Sequence, residues 1–252
     1  MTSPASSASR IGAWSMLGTP AAASVMAQIG ADWLVLDAQH GLYDDRSIVD
    51  SLALLTASGT AERTHVRVPH NSPSWIGRAL DAGARGVIVP MVQDAAQARL
   101  AADACRYAPV GTRSWGPMAA YWGGEVATPT ESNERVRCAV MVETPEAVEN
   151  VEAIAATPGV DMVFVGPFDL SIALGTTVEA LLADTSPESP LDRVVAACAA
   201  AGITPGSFAG SVPIATALLA RGFRSVAVAV DTAILTQQGS MLVEQARRAS
   251  VG

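Results

Sequence analysis

Five residues in this chain have side-chain types and settings that could do acid–base and electrophilic chemistry: Asp37, His40, Arg67, Glu143 and Asp169. His40 lies just past the apolar run 32–37, three residues beyond Asp37. An imidazole titrates near pH 6.5 and is the usual general acid or base, and Asp37 is close enough to orient it and stabilise its charge. The other reading of a lone loop histidine is structural. Arg67 interrupts the apolar sequence His-Val-Arg-Val-Pro. A charge there is costly unless paired, so Arg67 either completes an ion pair or binds an anionic group. Glu143 and Asp169 close the apolar runs 138–142 and 161–165. Two carboxylates at neighbouring strand ends could hold a hard divalent cation through oxygen. Both also precede helix-starting sequence, Thr-Pro-Glu and Leu-Ser, where caps belong. Trp14 either lines an apolar pocket or fills core. His65 opens its strand, and His70 lies in a loop beyond Pro69, so neither is placed as well as His40.

The elements that must position these residues follow from periodicity. Short β-branched runs at 12–17, 32–37, 64–68, 86–90, 138–142, 161–165, 203–208 and 225–230 read as strands. Ala-rich amphipathic stretches at 20–29, 46–58, 74–83, 94–106, 145–156, 189–201, 211–221 and 231–248 read as helices. Eight strands apolar on both faces, alternating with eight helices, predict a parallel (β/α)8 TIM barrel. A doubly wound sheet would instead open with a glycine-rich turn, and here the first strand leads into Gly18-Thr19-Pro20. Barrel active sites form at the C-terminal ends of the strands, which is where the candidate residues stand. Two long connections, 107–137 and 166–188, are expected to leave such ends and contribute to the site. Residues 1–10 read as a disordered tail, and 11–252 as one domain.

Composition excludes other chemistries. The chain has 252 residues, with 16 basic against 24 acidic side chains and a net charge of −8. Every basic residue is arginine. Without lysine there is no Schiff-base aldolase, no pyridoxal-phosphate enzyme and no Walker-type phosphate loop. The acidic balance argues against nucleic acid and anionic membrane as partners. No apolar run is long enough to span a bilayer, and residues 1–10 lack the apolar centre of a secretory signal, so a cytoplasmic location is expected. Cys105, Cys138 and Cys198, odd in number and set in apolar sequence, are expected to be buried reduced thiols. Asp231 after the last strand would repel a phosphate, which disfavours phosphosugars.

The segments GADWLVLDAQHG, VRVPHNSPSWIGRALDAGARGVIVPMV, RYAPVGTRSWGP, VETPEAVENVEAI and GVDMVFVGPFDLSIALG resemble the HpcH/HpaI family of metal-dependent, class II pyruvate aldolases. The resemblance covers residues 11–248. It implies a phosphoenolpyruvate/pyruvate-type barrel that reversibly cleaves 4-hydroxy-2-oxo acids to pyruvate, or hydroxypyruvate, and an aldehyde. It implies that Glu143 and Asp169 bind a divalent ion (Mg2+, Mn2+ or Co2+), and that His40 paired with Asp37 moves the proton. It further implies that Arg67 polarises the keto oxygen, that backbone N–H groups of Phe168 and Asp169 receive the carboxylate, and that Trp14 lines the aldehyde side. The family also implies a homo-hexamer, a trimer of dimers with the last helix exchanged between neighbours. Gln39 stands where the family usually has Glu, Met141 where it often has Gln, and Phe208 where the pocket residue is often aliphatic. The family's Gly-x-Arg-Gly turn reads Gly111-Thr112-Arg113-Ser114. A carbon–carbon lyase acting on a CoA thioester and a non-catalytic ligand-binding barrel are the alternatives.

Overall fold

The computed structural model describes residues 8–250, and eight parallel strands close into one barrel in sequence order. The strands are β1 (Arg10–Ser15), β2 (Trp33–Asp37), β3 (Thr64–Arg67), β4 (Gly86–Val89), β5 (Arg137–Val142), β6 (Met162–Val165), β7 (Thr204–Phe208) and β8 (Ser225–Val230). Strand β1 pairs with both β2 and β8, so no edge is left open. The helices are α1 (Pro20–Met26), α2 (Asp45–Ala57), α3 (Pro73–Asp81), α4 (Ala95–Cys105), α5 (Pro129–Arg135) and α6 (Pro145–Glu149). They continue with α7 (Val151–Ala155), α8 (Pro167–Ala173), α9 (Val178–Ala183), α10 (Pro190–Ala201), α11 (Val212–Ala220) and α12 (Asp231–Ala249). Of the expected tail, residues 1–7 lie outside the described residues, and Arg10 already begins β1.

Strand alternation divides the apolar residues between two cores. Trp14, Trp33, Val35, Ile88, Met141 and Phe164 fill the barrel interior. Leu34, Leu36, Val66, Val140, Val163 and Val165 face outward into the helix layer. Interior packing alternates large against small side chains: a Cβ on Gly12 would lie 2.3 Å from the Trp33 ring. Helix starts are set by Thr19, Asp44, Asp94, Thr128, Thr144 and Thr177, each accepting a hydrogen bond from a first-turn N–H. The three cysteines are free and buried, as expected.

One expectation is overturned. Segment 107–137 does not build the active-site mouth; it follows α4 and returns to the start of β5, so it closes the opposite, N-terminal face. There Met118 N–H donates to the carbonyl of Asp81 (2.8 Å), the last residue of α3, and Arg113 pairs with the Asp81 carboxylate (2.6 Å). The segment carries a 3-10 turn at Ala119–Trp122 and helix α5. Connection 166–188 does leave the C-terminal end of β6, and it folds into α8 and α9.

Candidate active site

Alternation along β2 and β3 turns Asp37 and Arg67 inward at the C-terminal mouth, in register with one another. Both are buried. Arg67 grips Asp37 with a two-bond fork, Nε to Oδ1 at 2.9 Å and Nη2 to Oδ2 at 2.6 Å. The Trp14 indole N–H donates to Oδ2 (3.0 Å), and backbone N–H groups of Gln39 (3.0 Å) and His40 (3.2 Å) donate to Oδ1. Burial pushes the Asp37 carboxyl up, but the hydrogen bonds and charge of Arg67, aided by Trp14 and the His40 N–H, outweigh it and hold it below its ordinary value. The ion-pair reading of Arg67 therefore applies, and with Nε and one Nη2 proton committed, the guanidinium keeps further N–H groups. Its Cζ lies 5.1 Å from the centre of the Trp14 ring.

The expected pairing of His40 with Asp37 takes a different form. Asp37 holds the backbone of His40, whereas the His40 side chain is exposed and its imidazole makes no hydrogen bond among the described residues. The carboxylate fixes where the histidine stands and leaves the ring free. The reason is local: Asp37 ends its strand, and its oxygens are nearest the N–H groups of the turn that follows.

Glu143 follows β5 and is 2% exposed. One oxygen, Oε2, accepts from the Met91 N–H (3.0 Å); Oε1 meets no protein donor. Burial raises the Glu143 carboxyl; the Met91 hydrogen bond and the charge of Arg67 oppose this, and the charge of Asp169 adds to it. Asp169 sits exposed in the first turn of α8. A Cβ on Gly166 would lie 2.5 Å from Glu143 Oε1, so only glycine leaves that oxygen its place. Two carboxylates near enough for the charge of one to raise the other, with Glu143 Oε1 taking no protein hydrogen bond, form a hard-oxygen donor set that fits a divalent cation. No group of three or more His, Cys, Asp or Glu gathers for a metal among the described residues, so water and substrate oxygens would complete the shell.

An aromatic wall rises from this floor. Trp14 stacks on Phe164 (5.8 Å between ring centres) and meets the edge of Phe208 (5.2 Å), which in turn meets Phe168 (6.0 Å). Trp14 is 2% exposed and packs in the barrel core, with its indole N–H turned to Asp37. Phe168 and Asp169 occupy the first turn of α8 behind Pro167, where N–H groups have no intrahelical acceptor. Met141 is buried in the interior one alternation below Glu143, and the Gln39 Oε1 is buried without a partner.

Three contributors were not legible. Met91 supplies the N–H for Glu143 from a left-handed backbone (φ +56°), which no sequence pattern announces in a methionine. Gln93 ties the loop after β4 to the loop after β5: Thr144 donates to its side-chain oxygen, and Asn150 donates to its carbonyl (2.9 Å). Asp231, read only as a phosphate repellent, is buried and gathers the loop after β1. It accepts from the N–H groups of Met16 (2.9 Å) and Leu17 (3.1 Å) and from the Ser15 hydroxyl (2.8 Å).

Comparison with known proteins places this geometry in a family context. The HpcH/HpaI aldolase/citrate lyase family model matches residues 10–237. A 4-hydroxy-2-oxovalerate aldolase of Rhodococcus jostii (strain RHA1) is 37% identical over 92% of this chain and 90% of its own. A hydroxypyruvate/pyruvate aldolase of Paraburkholderia phytofirmans (strain DSM 17436 / LMG 22146 / PsJN) is 32% identical over 94% of this chain and 92% of its own. The crystal structure of an HpcH/HpaI aldolase/citrate lyase family protein from Burkholderia cenocepacia J2315 superposes with a TM-score of 0.84. It is 33% identical and covers 97% of this chain and 96% of that one.

Proposed function

The chain belongs to the HpcH/HpaI aldolase/citrate lyase family, and we propose that it catalyses reversible aldol cleavage of 4-hydroxy-2-oxo acids to pyruvate or hydroxypyruvate and an aldehyde. The observation that carries this reading is the meeting of Glu143, Asp169 and Arg67 at one barrel mouth, with Glu143 feeling the charge of both the others.

Glu143 and Asp169 would hold a divalent ion (Mg2+, Mn2+ or Co2+), which when bound supplies Lewis-acid polarisation of the donor's carboxylate and keto oxygens. The chain's own groups do the rest. Arg67, immobilised by Asp37, aims its remaining N–H groups at the keto oxygen, where negative charge grows as the C3 proton leaves. Because the fork to Asp37 is already formed, this donor is preorganised. His40, anchored through its backbone with its ring free, takes and returns the C3 proton, directly or through one water. The N–H groups of Phe168 and Asp169 receive the donor carboxylate. Trp14 and Phe208 exclude water from the side where the aldehyde approaches.

The working form is read as a homo-oligomer, a hexamer built as a trimer of dimers. Helix α12 supports this reading, being exposed from Ile234 to Ala249 with Leu235, Met241, Leu242 and Val243 uncovered. No helix among the described residues is long and apolar enough to cross a membrane, and we read the location as cytoplasmic.

A panel of 4-hydroxy-2-oxo acids, assayed for pyruvate release, tests the reading. Protein treated with EDTA is expected to lose activity and regain it with Mn2+, Co2+ or Mg2+. Full turnover without any divalent ion would overturn the proposed role of the two carboxylates.

A further inference from the structure

The loops that form the mouth carry no arginine or lysine; their basic side chains are His40, which the mechanism uses, and His70. Segments 16–19, 38–44, 68–72, 90–94, 143–144 and 209–211 contain no arginine, and the chain contains no lysine. Arg67, the cation at the floor, is consumed by Asp37 on one side and committed to the keto oxygen on the other. Arg46 and Arg78 on the flanking helices are engaged by Asp50 (3.0 Å) and Asp45 (2.7 Å). The mouth instead presents further carboxylates, Asp44 and Asp94, each capping a helix there. With a divalent ion bound, the formal charges of Asp37, Glu143, Asp169 and Arg67 cancel, and the donor's own carboxylate makes the floor net negative.

What the rim does present is apolar surface. The aromatic wall ends in Phe168, 43% exposed above Phe208. Met91, whose N–H holds Glu143, leaves its side chain 48% exposed. Leu42, after β2, is 75% exposed, and Val212, at the start of α11, is 69% exposed. Uncovered apolar groups on several mouth loops, with no arginine or lysine among them, suit an uncharged chain and penalise a second anion.

From this juxtaposition we infer that the aldehyde partner is uncharged and apolar, an aliphatic or aromatic aldehyde without a distal carboxylate, sulfonate or phosphate. The inference rests on the aldolase reading and specifies its second substrate. In the condensation direction the C3–H bond of the 2-oxo acid breaks, and its electron pair forms the bond to the aldehyde carbon. The aldehyde oxygen takes up a proton, so atoms and electrons balance with no further reactant. The aldehyde's tail then lies along Phe208, Phe168 and Met91, where a charged end would meet carboxylates.

The test compares two acceptors of matched shape, 4-methylpentanal and succinic semialdehyde, which exchange an isopropyl group for a carboxylate. Full-length protein with Mn2+ and pyruvate is used, and solvent exchange of the pyruvate methyl protons is followed in parallel without aldehyde. The expected kcat/KM for 4-methylpentanal exceeds that for succinic semialdehyde by about tenfold or more. Leu42→Arg, which puts a cation on the rim, should narrow or reverse that ratio. Methyl exchange with equal acceptors, or with succinic semialdehyde preferred, would overturn this inference alone. Absence of methyl exchange would overturn the aldolase reading and this inference with it.

Discussion

Arg67 and Asp37 form a two-bond ion pair in register across β2 and β3, with both side chains almost wholly removed from water. Removing one partner of such a pair strands the other in a low-dielectric setting, which costs about 3–5 kcal/mol. Arg67→Ala should lose stability on that scale in urea unfolding at neutral pH. The pH dependence has a defined sign. In the native protein Asp37 is held below its ordinary value of 3.8, so its contribution is present above pH 3.8 and fades as acid protonates it. In Arg67→Ala burial acts unopposed by the guanidinium and raises Asp37, so the deficit against wild type should shrink as pH falls toward 4. A deficit independent of pH would contradict the pairing.

Gly166 is the narrowest steric requirement at the site. Its backbone (φ −93°, ψ 89°) is open to any residue, yet an added Cβ would press on Glu143 Oε1. Gly166→Ala should leave the melting temperature nearly unchanged while weakening Mn2+ binding about 10- to 100-fold in a calorimetric titration. Unchanged binding would show that Oε1 is not a ligand.

Asp231 anchors the loop after β1 through two backbone N–H groups and the Ser15 hydroxyl, and so holds the strand end that carries Trp14. Asp231→Ala leaves those donors unmet, at a cost of about 3 kcal/mol in unfolding free energy. Asp231→Asn keeps an acceptor oxygen and should lose clearly less. Equal loss in both variants would argue that charge, and not hydrogen bonding, is what the loop requires.

His65 lies at the other end of the barrel interior, edge-on to Trp33 (6.3 Å), with its Nδ1 unpartnered. Burial, reinforced by the charges of Arg10, Arg85 and Arg137, pushes its pKa down to about 4. The native state therefore binds fewer protons than the unfolded chain between pH 6.5 and 4. Stability should be full above pH 6.5 and fall by about 1.4 kcal/mol per pH unit across that window. His65→Leu should remove this part of the slope, and an unaltered slope would assign the acid sensitivity elsewhere.

The barrel was legible because most strands are short apolar runs rich in β-branched residues, alternating with Ala-rich helices whose boundaries differ by a few residues; β7 (Thr-Pro-Gly-Ser-Phe) is the exception in composition and was legible from its place in the alternation. Glu143, Asp169, Asp37, His40 and Arg67 were legible as strand-end polar residues. Their detailed partners were not, because a sequence shows proximity along the chain and not across it. His40 and Asp37 are neighbours in sequence, yet the carboxylate spends its oxygens on Arg67, thirty positions away. Met91 and Gly166 act through a backbone angle and an absent side chain, neither of which has a chemical signature in the letters. Segment 107–137 lies on the opposite face from the expected one because it follows α4 (Ala95–Cys105) and not β4, and a helix returns the chain to the N-terminal end of the barrel.

The central claim is that Glu143 and Asp169 seat an ion which lets this barrel activate C3 of a 2-oxo acid. The most direct measurement is deuterium incorporation into the pyruvate methyl group in D2O, followed by NMR without any aldehyde. Exchange is expected with Mn2+, Co2+ or Mg2+, to vanish in EDTA, and to slow by orders of magnitude in Glu143→Gln and His40→Ala. Exchange that persists undiminished in EDTA, or in both variants, would contradict the account.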